Sequence, residues 1–557
     1  MRSGKALFSA LGLNFIFFLL YLAFGVVRHG SLDDYFMSSV LTGAYGAEYD
    51  VHMYFVNSAY GYFLKPFYLL FPKVGWYFIF ELAGTFAAFT VYTYALIQNL
   101  GKKIGIPVAA VLLAALTPDF YFQLSFTQCA TAYTAAGILL VALGDAGRKK
   151  IHLILGGLFL IAGSIMRWEG FLLGMPLLCL LLASNIFERK GLYKDSLIIL
   201  SITFVALFAL KYHDKILYSQ GDYKYYAEYQ PVRAFFGDGA YYDSESTFDE
   251  LEEREMSGID YQLAKSWVFY DTEILSEGEL RKIIDVAKRN LYHPNWSRMP
   301  FAFLMAISSA LTRTNGWCWV IFCILLIAIR DKKANLYPWA SLCIVAASLS
   351  YLLLVNRLVY HVETGVWLYA IVGTIPFLTK DGLFQNEFVA KHKNIFPYAV
   401  ILFAILFSAL AISSQSLKTK WNVIETREMT RDWREFVDYV QQHPDDVFLL
   451  SFERYKQLGT LKDKPYWSIK PGSWQNIFSL GYWNIHLPAM KKELTKRGVT
   501  NPIKDIINPN VYLVEDSPYP ILPDFYQRHY RRTLSTDTIA TFGKIYVIKY
   551  SVVGDRL

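Results

Sequence analysis

The chain has 557 residues, 54% of them hydrophobic and 17% aromatic, with a formal net charge of +7 and a mean hydropathy of +0.27. A soluble protein of this length does not carry so many separate apolar blocks, each approaching the roughly 20 residues a helix needs to cross a bilayer. The composition excludes a soluble globular enzyme, and the positive charge is to be sought first in membrane-flanking loops rather than on a nucleic-acid-binding surface.

In chain order, the first apolar run, 6–27, follows Arg2 and Lys5. It is long and lacks a small-x-small cleavage site, so it reads as an uncleaved membrane helix rather than a signal peptide. Directly after it comes "HGSLDDYFMSSVLTGAYG", residues 29–46, with two adjacent carboxylates, Asp33 and Asp34, where the chain leaves the bilayer. The segment 49–72 is dense in Tyr and Phe but too polar and broken to span. It is predicted to form an interfacial helix pair on the outer leaflet. Further apolar segments follow near 75–97, 105–117, 128–144, 152–166, 171–187, 196–212, 301–329, 337–355, 364–379 and 394–413. The segment 301–329 is interrupted by "RTNG" at 313–316, which predicts a short interfacial helix followed by a crossing one. About eleven crossings result.

Charge tests this threading, because cytoplasmic loops are rich in Lys and Arg. With the N-terminus inside, the inside loops are "GKK" at 101–103, "DAGRKK" at 145–150, "ERKGLYKD" at 188–195, "RDKK" at 330–333 and the stretch 380–393. Every one is basic, and one misplaced helix would invert the pattern. The outside then holds the loop 28–74, short loops near 118–127 and 167–170, a long loop at 213–300, and everything after about 414. The expected architecture is an α-helical polytopic membrane domain, 1–413, with a small C-terminal extracytoplasmic α/β domain, 414–557, in a cell inner (plasma) membrane. That last region opens with an amphipathic pattern, Trp433, Phe436, Val437 and Val440 at helical spacing. Strand-like "DVFLLSF" and "GKIYVIKYSVV" follow. The five cysteines all fall in apolar stretches, so no disulfide framework is expected. Cys318 and Cys323 read as buried small residues rather than metal ligands.

Several ionisable groups gather on the outer face, embedded in apolar sequence at helix ends: Asp33 and Asp34, Asp119 in "TPDFYFQLSFTQ", Arg167 and Glu169 in "MRWEG", and Arg357, His361 and Glu363 in "NRLVYHVETG". Arg298, in "NLYHPNWSRMP", returns the long loop to the membrane. Such placements are costly and mark functional candidates. Carboxylates beside a membrane can deprotonate an incoming hydroxyl or hold a divalent cation. Arginines can clamp a phosphate bidentately. Together they suit transfer of a group from a phosphate leaving group to an alcohol. The chain has neither a P-loop nor a Rossmann glycine pattern to hold a nucleotide.

An acidic pair in the first outer loop, juxtamembrane helices after it, a many-helix body and a C-terminal outside domain resemble the GT-C superfamily of integral-membrane glycosyltransferases, in its bacterial GtrII-like and mannosyltransferase-like branch. The resemblance covers most of 1–413 as architecture. It implies a polyprenyl-phosphate-linked sugar donor, an extracytoplasmic glycan, lipid or protein acceptor, contact with membrane lipids, and no nucleic acid. It implies Asp33 or Asp34 as catalytic base. Asp119, Arg167, Glu169, Arg357, His361, Glu363 and Arg298 would bind substrate, with Arg167 and Arg357 on the carrier phosphate. Where such enzymes use Mg²⁺ or Mn²⁺, Asp34 and Asp119 would be ligands. The chain departs from the oligosaccharyltransferases in having no "WWDYG"-type acceptor motif, and "SLGYWNIHLP" at 479–488 matches no named one.

The rival reading is a polytopic transporter or lipid-linked-sugar flippase, which predicts ionisable residues near helix centres or paired broken helices. Mid-helix positions here are mostly uncharged, and no repeat is visible. An envelope scaffold and a phosphotransferase are further rivals; the latter wants His and Asp ligands clustered in the outer domain, whereas His443, His486 and His529 lie far apart in sequence.

Overall fold

The structure, a computed structural model, describes residues 2–24, 28–46, 48–189, 191–237, 242–254, 257–291, 299–311, 314–329, 331–355, 357–392, 394–459, 465–518 and 520–554. The chain is an α-helical multi-pass membrane protein with a small C-terminal α/β domain. After α1 (Arg2–Phe24) come a two-residue strand β1 (Arg28–His29) and two helices, α2 (Leu32–Leu41) and α3 (Ser58–Leu70). The body continues through α4 (Trp76–Leu100), α5 (Lys102–Tyr121), β2 (Gln123–Leu124), α6 (Phe126–Ala146), α7 (Lys150–Met166), α8 (Trp168–Arg189) and α9 (Lys194–Tyr218). Four helices follow outside it: α10 (Gly221–Gly237), α11 (Ser244–Glu253), α12 (Gly258–Lys265) and α13 (Glu277–Ala287). The chain then returns with α14 (Met299–Leu311), α15 (Thr314–Ala328), α16 (Lys332–Leu354), α17 (Tyr360–Val372), two short helices α18 (Lys380–Phe384) and α19 (Glu387–Lys391), and α20 (Phe396–Gln442).

Among the described residues, seven helices are long and apolar enough to cross a membrane: α1, α4, α5, α6, α8, α9 and α16. Shorter apolar helices lie at Lys150–Met166, Thr314–Ala328 and Pro397–Leu410. Small residues set the packing of α6 on α7. A Cβ on Gly137 would stand 2.8 Å from the Gly156 carbonyl oxygen, so the two backbones meet in a way that larger residues forbid. Of the predicted interruption at 313–316, Thr314, Asn315 and Gly316 begin α15, and Arg313 lies outside the described residues. The aromatic segment 49–72 differs from expectation: it forms one helix, α3, preceded by irregular chain, because only 58–70 carries an unbroken helical stripe. Tyr62, Phe63, Leu69 and Leu70 remain exposed along that helix.

Loops joining the helices segregate by face. On one face Asn99 Nδ2 donates to the Ile375 carbonyl (2.9 Å), and Asn386 Nδ2 to that of Ala328 (3.2 Å). On the other, β1 pairs in parallel with β2, Arg28 opposite Gln123, tying the chain after α1 to the chain after α5. Asn57 N–H donates to the Ile165 carbonyl there (2.9 Å).

That second face is capped. The predicted boundary near 413 falls inside the unbroken 47-residue helix α20, whose far end presents Trp433, Phe436, Val437 and Val440 to the cap core. The cap contains β3 (Val447–Leu450), α21 (Phe452–Leu458), β4 (Ile477–Ser479), α22 (Pro488–Lys496), β5 (Val511–Glu515), α23 (Leu522–Tyr530), β6 (Leu534–Phe542) and β7 (Ile545–Val552). The sheet runs β4-β3-β5-β7-β6, with β3 parallel to both its neighbours and β7 antiparallel to β5 and β6. All four residues of β3 are buried, as a strand covered on both sides requires. The long loop is half of this cap rather than an appendage of the membrane body. Tyr226 Oη donates to the Trp483 carbonyl (3.1 Å), Asn501 Nδ2 to Asp271 (3.0 Å), and His529 pairs with Asp260 (2.6 Å). Of the acidic stretch 243–260, expected to be solvated, α11 keeps its charges outward, whereas Asp260 is buried against His529.

Candidate functional site

The doubled aspartate occupies the first turn of α2. Ser31 caps that helix, its Oγ accepting the Asp33 N–H at 3.0 Å, and carboxylates in the first turn are favoured by the helix dipole. Adjacent helical residues point about 100° apart, so the two carboxyls part company. Asp34 turns into the body and is fully buried, accepting from Tyr77 Oη (2.9 Å) and from the Phe126 N–H (3.0 Å). Burial pushes its carboxyl up to about 7, a rise that these two hydrogen bonds oppose. The Glu81 carboxyl adjoins it, equally buried. Asp33 faces the other way, lines a cavity and accepts a hydrogen bond from Tyr482 Oη at 2.7 Å.

That cavity, of about 1370 Å³, lies between the helical body and the cap. Its lower walls are apolar: Leu172, Leu173 and Pro176 of α8, Leu207 and Leu210 of α9, and Leu352 of α16. All three helices are long and apolar enough to cross a membrane. Above this apolar trough the lining turns charged, with Asp33, Arg167, Glu169, Lys211, Asp214, Arg357 and His361. The roof comes from the cap: Arg233, Trp267, Phe452, Lys456, Tyr482 and Trp483.

Arg167 ends α7 in extended conformation, immediately before α8. Its Nη1 donates to Thr127 Oγ1 (2.6 Å), its guanidinium lies 4.9 Å from the centre of the Phe126 ring, and Glu169 is 3.8 Å away. Burial lowers its pKa; the nearby Glu169 and Asp33 carboxylates oppose that shift. Lys211 Nζ sits 4.0 Å over the Trp168 ring, and Asp214 accepts the Ser58 N–H at 2.8 Å.

Of the residues singled out from sequence, Asp33, Arg167, Glu169, Arg357 and His361 share this cavity. Three others do not. Asp34 belongs to the body core. Asp119 accepts from Asn315 Nδ2 (3.0 Å) and from the Tyr360 hydroxyl, in a separate network. Glu363 is buried on α17 away from the cavity wall. Arg298 lies outside the described residues. Asp34 and Asp119, expected to share a cation, have different hydrogen-bond partners. Among the described residues, no three His, Cys, Asp or Glu side chains gather as metal ligands.

Sequence reasoning misses most of the roof. Tyr482 and Trp483 come from the unassigned "SLGYWNIHLP" stretch, whose density of aromatic and polar residues in a soluble domain was the available signal. Tyr54, which also lines the cavity, holds a left-handed backbone at φ 59°, a conformation no sequence pattern announces.

No family model matches the chain, and no curated protein matches it. A solved structure, that of ArnT from Cupriavidus metallidurans in the apo state, is similar at 12% sequence identity over 96% of this chain and 96% of that one, with a TM-score of 0.39.

Proposed function

We propose that this chain is a membrane glycosyltransferase that moves a sugar from a polyprenyl-phosphate carrier to an acceptor on the capped, extracytoplasmic side. One observation carries the reading: a single cavity joins an apolar trough, walled by helices long and apolar enough to cross a membrane, to a charged chamber holding Asp33, Arg167 and Arg357. A lipid-linked phosphate has that shape and chemistry, a hydrocarbon tail followed by an anionic head. The trough takes the tail, whose burial contributes roughly 25 cal/mol per Å². Arg167 and Arg357 take the phosphate.

The acceptor hydroxyl then approaches from the cap side. Its oxygen attacks the anomeric carbon while Asp33 removes the proton. The bond between that carbon and the phosphate oxygen breaks, and the phosphate keeps the electron pair. Arg167 and Arg357 stabilise the charge that develops on it. Tyr482, donating to Asp33, orients the carboxylate toward the incoming hydroxyl, and Glu169 positions Arg167. Asp34 has no part in the chemistry; it fixes the α2 turn that aims Asp33. No step requires a nucleotide or a metal.

Reconstitution with polyprenyl-phosphate-linked sugars tests this by following acceptor-dependent release of the carrier. Asp33→Asn is expected to abolish release while Asp34→Asn retains it. Unchanged turnover in Asp33→Asn removes the base assignment. Activity seen only with a gradient across the bilayer would indicate transport instead.

A further inference from the structure

The cavity roof contains a charge that the transfer reading leaves unused. Arg233, on α10, is 3% exposed and lines the cavity. Its hydrogen bonds go to neutral acceptors, Nε to Gln230 Oε1 (2.9 Å) and Nη1 to the Gly481 carbonyl (3.4 Å). Among the described residues no carboxylate lies within 4.0 Å of it, whereas Arg167 has Glu169 at 3.8 Å. A buried guanidinium without a counter-ion is costly, and an anionic ligand would offset that cost.

Aromatic rings surround this cation. Its guanidinium lies 5.2 Å from the centre of the Trp267 ring, and Trp267 stacks on Phe452 at 4.0 Å. The arc continues from Phe452 to Tyr482 (5.8 Å) and on to Trp483 (6.1 Å). Trp267 is held at φ 60°, a left-handed conformation that costs a bulky residue free energy and that clusters at ligand sites. Its neighbours permit it only because they are glycines. A Cβ on Gly237 would stand 1.8 Å from the indole, and one on Gly481 would stand 2.0 Å from the Trp267 carbonyl oxygen. Aromatic faces beside a fixed cation recognise the C–H face of a sugar ring together with a negative group on it.

We infer that the roof, with Arg233 as its anion contact and Trp267, Phe452 and Tyr482 as its stacking surface, binds an anionic saccharide, and that this saccharide is the acceptor. Its role as acceptor rests on the transfer reading; its binding does not. The cavity then has two anion positions: Arg167 and Arg357 near the membrane for the carrier phosphate, and Arg233 in the cap for a carboxylate or phosphate on the acceptor. Asp33, bonded to Tyr482 of the roof, lies where the two substrates meet.

The test uses the full chain in nanodiscs without donor, titrated with glucuronate, glucose 6-phosphate and glucose at constant ionic strength, with tryptophan fluorescence as readout. Both anionic probes are expected to bind at least roughly 10-fold more tightly than glucose, as a charge-assisted hydrogen bond implies. Arg233→Gln removes that preference. Arg233→Lys keeps most of it and guards against a folding defect in the first variant. Decaprenyl phosphate binding is unchanged in both variants. Equal binding of charged and neutral probes overturns the inference, as does a preference that survives Arg233→Gln. Weakened decaprenyl phosphate binding in Arg233→Gln would assign the residue to the donor and overturn it too. Because no sugar is transferred in this titration, its failure is distinct from failure of the transfer reading.

Discussion

Two carboxylates at helix ends, on opposite faces of the helical body, have opposite surroundings. Asp145, near the end of α6 on the uncapped face, is fully buried and accepts from Asn185 Nδ2 (3.0 Å), the Tyr193 N–H (2.8 Å) and Ser196 Oγ (2.7 Å). It ties three helices and a loop together and adjoins no described cavity. Asp33, in the first turn of α2 on the capped face, accepts from the Tyr482 hydroxyl and lines the large cavity. Three donors from the surrounding chain make Asp145 a structural tie, whereas a carboxylate that lines a cavity can reach a ligand and accept its proton. Side-chain type and position at a helix end are nearly the same in both; the cap makes the difference.

The largest expected break in this comparison is catalytic. Asp33→Asn lowers turnover by roughly 10²–10⁴-fold with no change in unfolding temperature, measured as carrier release and by thermal unfolding in detergent. A drop in both together would make Asp33 a structural tie like Asp145.

Asp34, one residue on, sharpens the contrast through pH. Its carboxyl is held neutral in the fold up to about 7, above the ordinary value of 3.8. The stability this gives is complete below pH 4 and is lost as pH rises through 7, because the unfolded chain ionises freely while the folded one resists. Wild type should lose up to about 3 kcal/mol between pH 5 and 8. Asp34→Asn should flatten that slope, as read from unfolding midpoints across the range.

Removing the enclosed carboxylate should be milder and purely structural. Asp145→Ala is expected to cost about 2 kcal/mol, since buried donors lose their acceptor. Its KM values for donor and acceptor should stay at the wild-type level, and a selective rise in either would contradict the assignment. The smallest effect is expected at Lys492, whose pair with Glu48 spans 3.9 Å between exposed side chains. Lys492→Ala should leave midpoint and turnover unaltered, as surface pairs contribute little.

Much of the body was legible beforehand because bilayer crossing imposes a length and an apolarity that composition records directly. The amphipathic end of α20 and the strands β3 and β7 carry local periodic signals. The site was legible only in part. Charged residues at apolar helix ends flagged Asp33, Arg167, Glu169, Arg357 and His361, but the same signal flagged Asp119 and Glu363, which are held elsewhere. Arg233, Trp267 and Tyr482 gave no such signal, because a charge or a ring in a polar segment has solvent as its default partner.

By itself, the order of residues determined a multi-pass helical body, its loop charges and a terminal α/β region, since each follows from short-range hydrophobic patterning. Only the folded chain decided which aspartate of the pair meets the cavity and that Arg233 and Trp267 join Phe452, Tyr482 and Trp483 in one roof over it. Those outcomes depend on helix rotation and on contacts between residues hundreds of positions apart, and neither leaves a periodic trace along the chain.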